Sequence, residues 1–242
     1  MHFLAETTSN GVVERRFHLN DVPGVSWSPA GDGAGPLVLL AHGGGQHKLA
    51  PGLVSRAHSF VTRTGFAVVA IDAPGHGDRP KTEDDVRFAN GLRERIAAGE
   101  SVGPHIAQYN TALAARAVPE WRAVLDALPH VDRRRVGFWG VSMGTAIGVP
   151  LLAVEPRIGA AVLGLAGHDA LAEVAAHVTV PLQFLLQWDD ELVPRDSGLA
   201  LFDAFGSREK TLHANPGRHI ELPPFESHDS ASFLARHLRE PG

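Results

Sequence analysis

The sequence predicts an α/β domain, a mainly parallel sheet of about eight strands with helices on both faces. Three observations carry that expectation. Five apolar runs of strand length, Leu37–Ala41, Phe66–Ile71, Val136–Trp139, Ala160–Leu165 and Leu182–Gln187, are continuous rather than alternating, as strands covered on both faces are. Segments able to form helices separate them, and that alternation gives a parallel sheet. The 242 residues are 44% hydrophobic, enough for one sizeable core, so a single domain over 1–242 is expected.

Each element has a local reason. Gly11 to Ser28 carries short apolar stretches broken by Asn20-Asp21 and Pro23-Gly24, which reads as two strands joined by a turn. Ala30 to Pro36 is Gly-rich and polar, hence a loop. Arg79 to Asn110 does not fit the simple repeat. It holds about thirty charge-rich residues, with Phe88, Leu92 and Ile96 at helical spacing. A structureless loop of that length is unusual, so a helical, cap-like excursion is expected. Val118, Trp121, Leu125 and Leu128 share a helical face, with Pro119 in a first turn. Leu199, Phe202 and Phe205 make another stripe, with Asp196 or Ser197 as N-cap. A strand over Glu209–His213 and a terminal helix carrying Phe233, Leu234 and Leu238 complete the chain.

Composition excludes several classes. The 22 basic and 27 acidic residues give a net charge of −5, which argues against a nucleic-acid partner and against a polybasic membrane surface. The chain has no cysteine, which removes disulfides, thiolate metal sites and a cysteine nucleophile together. Met1 to Glu6 has no signal-peptide pattern, and the longest apolar stretch, Gly144 to Val154, contains Pro150 and is far short of a membrane span. A cytoplasmic location is expected.

The most informative motif is Gly140-Val141-Ser142-Met143-Gly144. It follows a strand directly and precedes the small residues Thr145-Ala146, the strand–turn–helix context that gives G-x-S-x-G its meaning. A serine hydroxyl is a poor nucleophile and must stand exposed where a base can reach it. A second motif, His42-Gly43-Gly44-Gly45-Gln46, ends the strand Leu37–Ala41. A glycine turn there can aim backbone N–H groups at a developing oxyanion, or be a turn and nothing more. The fourteen histidines show no H-E-x-x-H spacing, and Gly43-Gly44-Gly45 lacks the Gly-Lys-Ser/Thr ending of a phosphate cradle. No metal and no cofactor are expected.

With these motifs, Asp72-Ala73-Pro74-Gly75-His76-Gly77, the run Gln187 to Pro194, and Gly217-Arg218-His219, the chain resembles the α/β-hydrolase superfamily, most of all its dienelactone-hydrolase-like and small-esterase members. The resemblance extends from about residue 12 to the end. It implies the α/β-hydrolase fold and the chain order serine, acid, histidine, which Ser142, Asp190 and His219 obey. Ser142 is implied as nucleophile. His219, after the turn Asn215-Pro216-Gly217, is implied as base, whereas His213 falls within a strand and His228 near the last helix. The acid lies three residues before the valine of a Val-Pro pair, which selects Asp190, with adjacent Asp189 as the alternative. The motif's usual glycine is replaced here by Trp188 or Asp189. The oxyanion hole is implied to use the N–H groups of Met143 and Gly44, with Gly45 as alternative to the latter. In the family the Asp72–Gly77 stretch is mainly a turn, so Asp72 and His76 are expected to be structural.

The implied activity is hydrolysis of a carboxylic ester, thioester or lactone of a small molecule through an acyl-enzyme on Ser142. Peptide cleavage or acyl transfer on the same residues, and a non-catalytic binding protein, are the alternatives. The substrate and the oligomeric state are not legible. The 79–110 excursion is expected to roof the pocket through Phe88, Leu92 and Ile96, or else to be a surface helix.

Overall fold

The computed structural model describes residues 1–31, 35–128 and 135–239. Their strands are β1 (His2–Ser9), β2 (Val12–Leu19), β3 (Val22–Pro29), β4 (Leu37–Ala41), β5 (Ala67–Ile71), β6 (Val136–Gly140), β7 (Ile158–Gly164), β8 (Leu182–Gln187) and β9 (Lys210–Asn215). They form one sheet of order β1-β2-β3-β5-β4-β6-β7-β8-β9. The β1–β2, β2–β3 and β3–β5 pairs are antiparallel, and every pair from β5 across to β9 is parallel. The apolar runs are therefore the parallel strands, as the sequence predicts. The loop expected over Ala30–Pro36 lies at residues 32–34 outside the described residues. Strand β1 is an addition to the sequence reading. All eight of its residues are exposed, so it carries no burial pattern to announce it.

The helices are α1 (Pro51–Thr64), α2 (Glu83–Ala98), α3 (Gly103–Ala127), α4 (Met143–Val154), α5 (Ala172–Ala175), α6 (Arg195–Ala204) and α7 (Phe225–Leu238). Alternation along each strand feeds two cores. Val38, Leu40 and Trp139 point to one side of the sheet, against Phe60 of α1 and Phe233 of α7. Leu37, Leu39 and Phe138 point to the other, against Trp121 of α3 and Ile147 of α4. Both faces of the central strands are thereby dry, and this is why their sequences do not alternate.

The reading of Pro119 needs correction. It lies inside the 25-residue α3, not in a first turn. The helix loses one backbone hydrogen bond there. It continues because Leu113, Ala114, Ala117, Trp121, Val124 and Leu125 bury one long face. The 79–110 excursion is thus α2 followed by the opening turns of the core helix itself.

Register brings the motifs together. Strands β4 and β6 pair from Leu37↔Val136 to Ala41↔Gly140, so the His42 and Ser142 loops leave neighbouring strands at the same level. Strands β8 and β9 pair from Leu182↔Lys210 to Gln187↔Asn215, which sets Trp188–Val193 beside Pro216–His219. All four loops emerge at the carboxyl ends of parallel strands, where open α/β sheets bind ligands.

Candidate active site

Ser142 stands between β6 and α4 at φ 57°, ψ −119°, a left-handed backbone that a residue with a Cβ rarely adopts. The surroundings hold it there. Its N–H donates to Gly164 O at 2.9 Å. The fully buried Thr145 hydroxyl accepts the Gly164 N–H at 2.8 Å and lies 2.9 Å and 2.6 Å from the carbonyls of Gly140 and Gly164. Close approach requires Gly140 and leaves little room at Gly144. A Cβ on Gly140 would lie 2.9 Å from the backbone of Gly144, and one on Gly144 would lie 3.2 Å from Ala41 O.

Three consecutive acids, Asp189-Asp190-Glu191, grip three different points of the opposite loop. Asp189 Oδ2 accepts the Gly217 N–H at 3.1 Å. Asp190 Oδ2 lies 2.7 Å from His219 Nδ1, while its Oδ1 accepts the N–H groups of Leu192 and Val193 at 2.8 Å and 2.9 Å. Glu191 accepts the backbone N–H of His219 at 3.1 Å, which holds its carboxyl below the usual glutamate range. His219 Nε2 in turn lies 2.9 Å from Ser142 Oγ. Of the two candidate acids, the structure sets Asp190 against the imidazole and Asp189 against the backbone.

Met143 follows Ser142 directly, and Gly44 lies in the loop after β4, the strand paired with β6. Met143 is the first residue of α4, so its N–H has no acceptor within the helix. The Gly43–Gly44 peptide is oriented by His42. The ring's Nε2 accepts the Ala73 N–H at 3.0 Å, which leaves Nδ1 as the protonated nitrogen, 2.9 Å from Gly43 O. The Gln46 N–H reaches the same carbonyl at 3.2 Å. In a planar trans peptide the Gly44 N–H then points the opposite way. Burial pushes the His42 pKa down to about 4, so the ring is neutral in this role. Gly45, at φ 71°, closes the turn.

Residues 38–239 match the model of the alpha/beta hydrolase family. The chain belongs to that family. Among solved structures, this α/β hydrolase is similar to a cold-adapted esterase from an Arctic intertidal metagenomic library, at 36% identity and TM-score 0.75 over 99% of this chain and 100% of that one. An acetyl xylan esterase from Paenibacillus sp. R4 shares the fold at 13% identity and TM-score 0.71, over 98% of this chain and 88% of that one. An esterase of Pyrococcus furiosus does so at 16% identity and TM-score 0.66, over 98% and 92%. No curated protein matches the chain significantly.

Ser142 and His219 open onto a cavity of about 500 Å³. Its far wall is the start of α3, with Val102, Ile106 and Asn110, and it is closed by Leu165–Leu171 and Leu192–Pro194. The roof expected from Phe88, Leu92 and Ile96 is not there. None of the three lines the cavity, and Ile96 is 60% exposed. Phe88 instead stacks on Tyr109 of α3, with centroids 3.8 Å apart, and on His105 at 4.9 Å. Helix α2 buries only Asp85. That carboxylate closes a capping box with Thr82 and receives the Tyr109 hydroxyl at 2.9 Å and Arg116 at 3.2 Å. Phe88 thus anchors α2 to the stretch of α3 whose neighbours Val102 and Ile106 form the pocket.

Three positioning groups of this α/β hydrolase escaped the sequence reading. Gln187, at 1% exposure, places Nε2 2.9 Å from Glu221 O, 3.3 Å from Arg218 O and 3.5 Å from Pro216 O, spanning the His219 loop. Thr145 staples the elbow. Lys48 bridges Asp72 at 2.7 Å and Asp78 at 2.6 Å, tying the His42 loop to the turn after β5. Burial would raise the Asp72 pKa, but Lys48 and two backbone N–H groups outweigh it and hold the carboxyl low. Asp72 therefore serves the turn, and His76 bonds Pro74 O at 3.0 Å beside it. A strand-end glutamine, a buried threonine and a lysine carry no local signature, since each role depends on a partner distant in sequence. Among the described residues one group has ligand atoms close enough for a metal, His213, Glu226 and Asp229, within 4.8 Å of one another. Glu226 is already engaged there by Asn215 at 2.7 Å and His213 at 3.0 Å, joining β9 to α7.

Proposed function

We propose that the protein hydrolyses carboxylic esters of small molecules through an acyl-enzyme on Ser142. The observation that carries this reading is the unbroken line from Ser142 Oγ through His219 to Asp190, with links of 2.9 Å and 2.7 Å, at the edge of a cavity of about 500 Å³. The esterase with 36% identity over nearly all of both chains supports it.

In this reading the Ser142 hydroxyl attacks the ester carbonyl while His219 Nε2 takes its proton. Asp190 holds Nδ1–H and stabilises the imidazolium. Negative charge gathers on the carbonyl oxygen, where the N–H groups of Met143 and Gly44 receive it. Collapse expels the alcohol, which takes the proton from His219. Water then attacks the acyl-enzyme with His219 again as base, releasing the acid and restoring Ser142. The chain's own residues supply every proton transfer. A cysteine-free protein of net charge −5 suits a cytoplasmic enzyme acting on small molecules without a nucleic-acid partner. No described helix is long and apolar enough to cross a membrane.

A fluorophosphonate probe should label wild-type protein at Ser142 and leave Ser142→Ala unlabelled, with p-nitrophenyl acetate turnover lost in the same variant. Wild-type turnover in Ser142→Ala would overturn the reading.

A further inference from the structure

Building on the ester-hydrolase reading, we propose that Leu165 sets the length of substrate that the cavity accepts, as a partition between it and a second, smaller cavity. Leu165 follows the last residue of β7, Gly164, whose carbonyl accepts the Ser142 N–H at 2.9 Å. It therefore lies one position beyond the nucleophile's own backbone partner. Its backbone is unusual. Leu165 has φ 52°, where a side chain crowds the main chain. Three other non-glycine residues among the described ones have positive φ, namely Asn10, Asn20 and Ser142. The two asparagines sit in the β1–β2 and β2–β3 turns, where that residue type tolerates the conformation, and Ser142 is the elbow itself. Leu165 has neither reason.

The turn is pinned. The Leu165 N–H donates to Leu185 O at 3.0 Å, and a Cβ on Gly164 would collide with that same oxygen. Core packing does not account for the side chain. Leu165 is 5% exposed, yet it belongs to neither of the two apolar cores, unlike Leu163 two residues before it. It borders the reaction cavity instead, together with Ser142. It also borders a second cavity of about 10 Å³ between the end of β8 and the start of α6, which Phe184, Leu186 and Gly198 help to line. Four other residues border both spaces, Ala166, Asp190, Val193 and Pro194. Ala166 offers only a methyl group, and the other three lie on the loop that carries the proposed acid. Leu165 is thus the large side chain that β7 places between the two spaces, and shortening it joins them. A backbone outlier held in place by its surroundings points to a local task. Here the task is to stop the substrate chain.

The test measures kcat/KM along two series, p-nitrophenyl esters from acetate to decanoate for the acyl side and straight-chain alkyl acetates for the alcohol side. In at least one series the wild-type value should fall once the chain reaches Leu165. Leu165→Ala removes an isopropyl group, and the surroundings relax into part of the space, so the fall should begin about two carbons later. At that length the ratio of kcat/KM to that of the shortest ester should rise about tenfold, a change worth about 1.4 kcal/mol. Leu165→Gly, which suits φ 52°, should shift the profile in the same direction, and it answers the question if the alanine variant does not fold. Leu165→Met, of similar volume, should keep the wild-type profile. Phe88→Ala, which does not line the cavity, controls for lost stability alone. An unmoved profile in Leu165→Ala and Leu165→Gly, or an equal shift in Phe88→Ala, would overturn the proposal. Fluorophosphonate labelling and p-nitrophenyl acetate turnover, measured alongside, separate the two readings. Turnover with an unmoved profile overturns the Leu165 proposal alone. Absence of labelling and of turnover in the wild type overturns the hydrolase reading beneath it as well.

Discussion

Asp190→Asn is the sharpest perturbation of the proposed chemistry, because the structure dictates how the amide must sit. Asp190 Oδ1 accepts two backbone N–H groups, from Leu192 at 2.8 Å and Val193 at 2.9 Å. An asparagine keeps both bonds only with its oxygen in that position. Its NH2 then takes the place of Oδ2, 2.7 Å from His219 Nδ1. A donor facing Nδ1 requires Nδ1 to carry the lone pair, which moves the imidazole proton to Nε2. That nitrogen lies 2.9 Å from Ser142 Oγ and could no longer accept its proton. The opposite flip restores the tautomer but turns an NH2 toward two N–H donors, leaving buried groups unsatisfied at about 1–3 kcal/mol each. Either way the negative charge that stabilises the imidazolium is gone. The expected loss in kcat is about 10³–10⁴, or roughly 4–5.5 kcal/mol, with the fold intact. The same substitution at Asp189 should cost little, since an asparagine oxygen can still accept the Gly217 N–H. The assay is single-turnover acylation with p-nitrophenyl acetate for both variants, with circular dichroism as the control on folding. Asp190→Asn within tenfold of wild type, or a larger loss at Asp189, would refute the assignment.

Four further outcomes are expected. Gln187→Met strips the donor from two or three carbonyls of the His219 loop, at about 1–3 kcal/mol for each buried acceptor left bare, partly offset because Gln187 Oε1 itself has no partner. The melting temperature should fall and kcat should drop more than KM changes, so an unaltered kcat would show that the loop holds itself. For His42, the folded pKa of about 4 lies below the ordinary 6.5, so the unfolded chain binds the extra proton between those values and stability declines as pH falls through that window, by about 3 kcal/mol in all. His42→Phe should flatten that part of the stability–pH curve measured by urea unfolding, and an unchanged slope would mean that other groups set it. Phe88→Ala should lower the melting temperature by removing the Tyr109 stack, worth about 0.5–1.5 kcal/mol, without altering preference across an ester chain-length series. Ile106→Ala, on the cavity wall, should widen that preference, and the reverse pattern would return α2 to the roof.

What could be read from the chain was what lies close together in it. The parallel strands show as apolar runs because both their faces are covered, and the elbow shows because a strand, a bend and a helix follow one another within nine residues, Val136–Gly144. The pairing of Asp190 with His219 was reachable through family order. The division of labour among Asp189, Asp190 and Glu191 was not, since it depends on how β8 and β9 align. Pro119 misled because its local meaning, a helix start, was overridden by the buried face running through Trp121 and Leu125. Phe88, Leu92 and Ile96 do recur at helical spacing. Periodicity cannot say what lies opposite a stripe, and here it is Tyr109 and His105 for the first and solvent for the last.

The proposed reacting groups and much of the cavity wall come from different parts of the chain. Ser142, Asp190 and His219 ride on loops after β6, β8 and β9, and all three acids beside the imidazole grip main-chain atoms. Much of the wall is supplied by residues 100–111 and 165–171, segments bearing none of those groups, and the rest includes Leu192–Pro194 on the loop that carries Asp190. Such a layout lets drift or laboratory recombination alter specificity by exchanging either of two inserts, while the loops carrying Ser142, Asp190 and His219 are inherited unchanged. Esterases of this design should therefore diverge fastest in sequence over the first turns of α3 and the stretch after β7, and grafting both between homologues should transplant substrate choice with them.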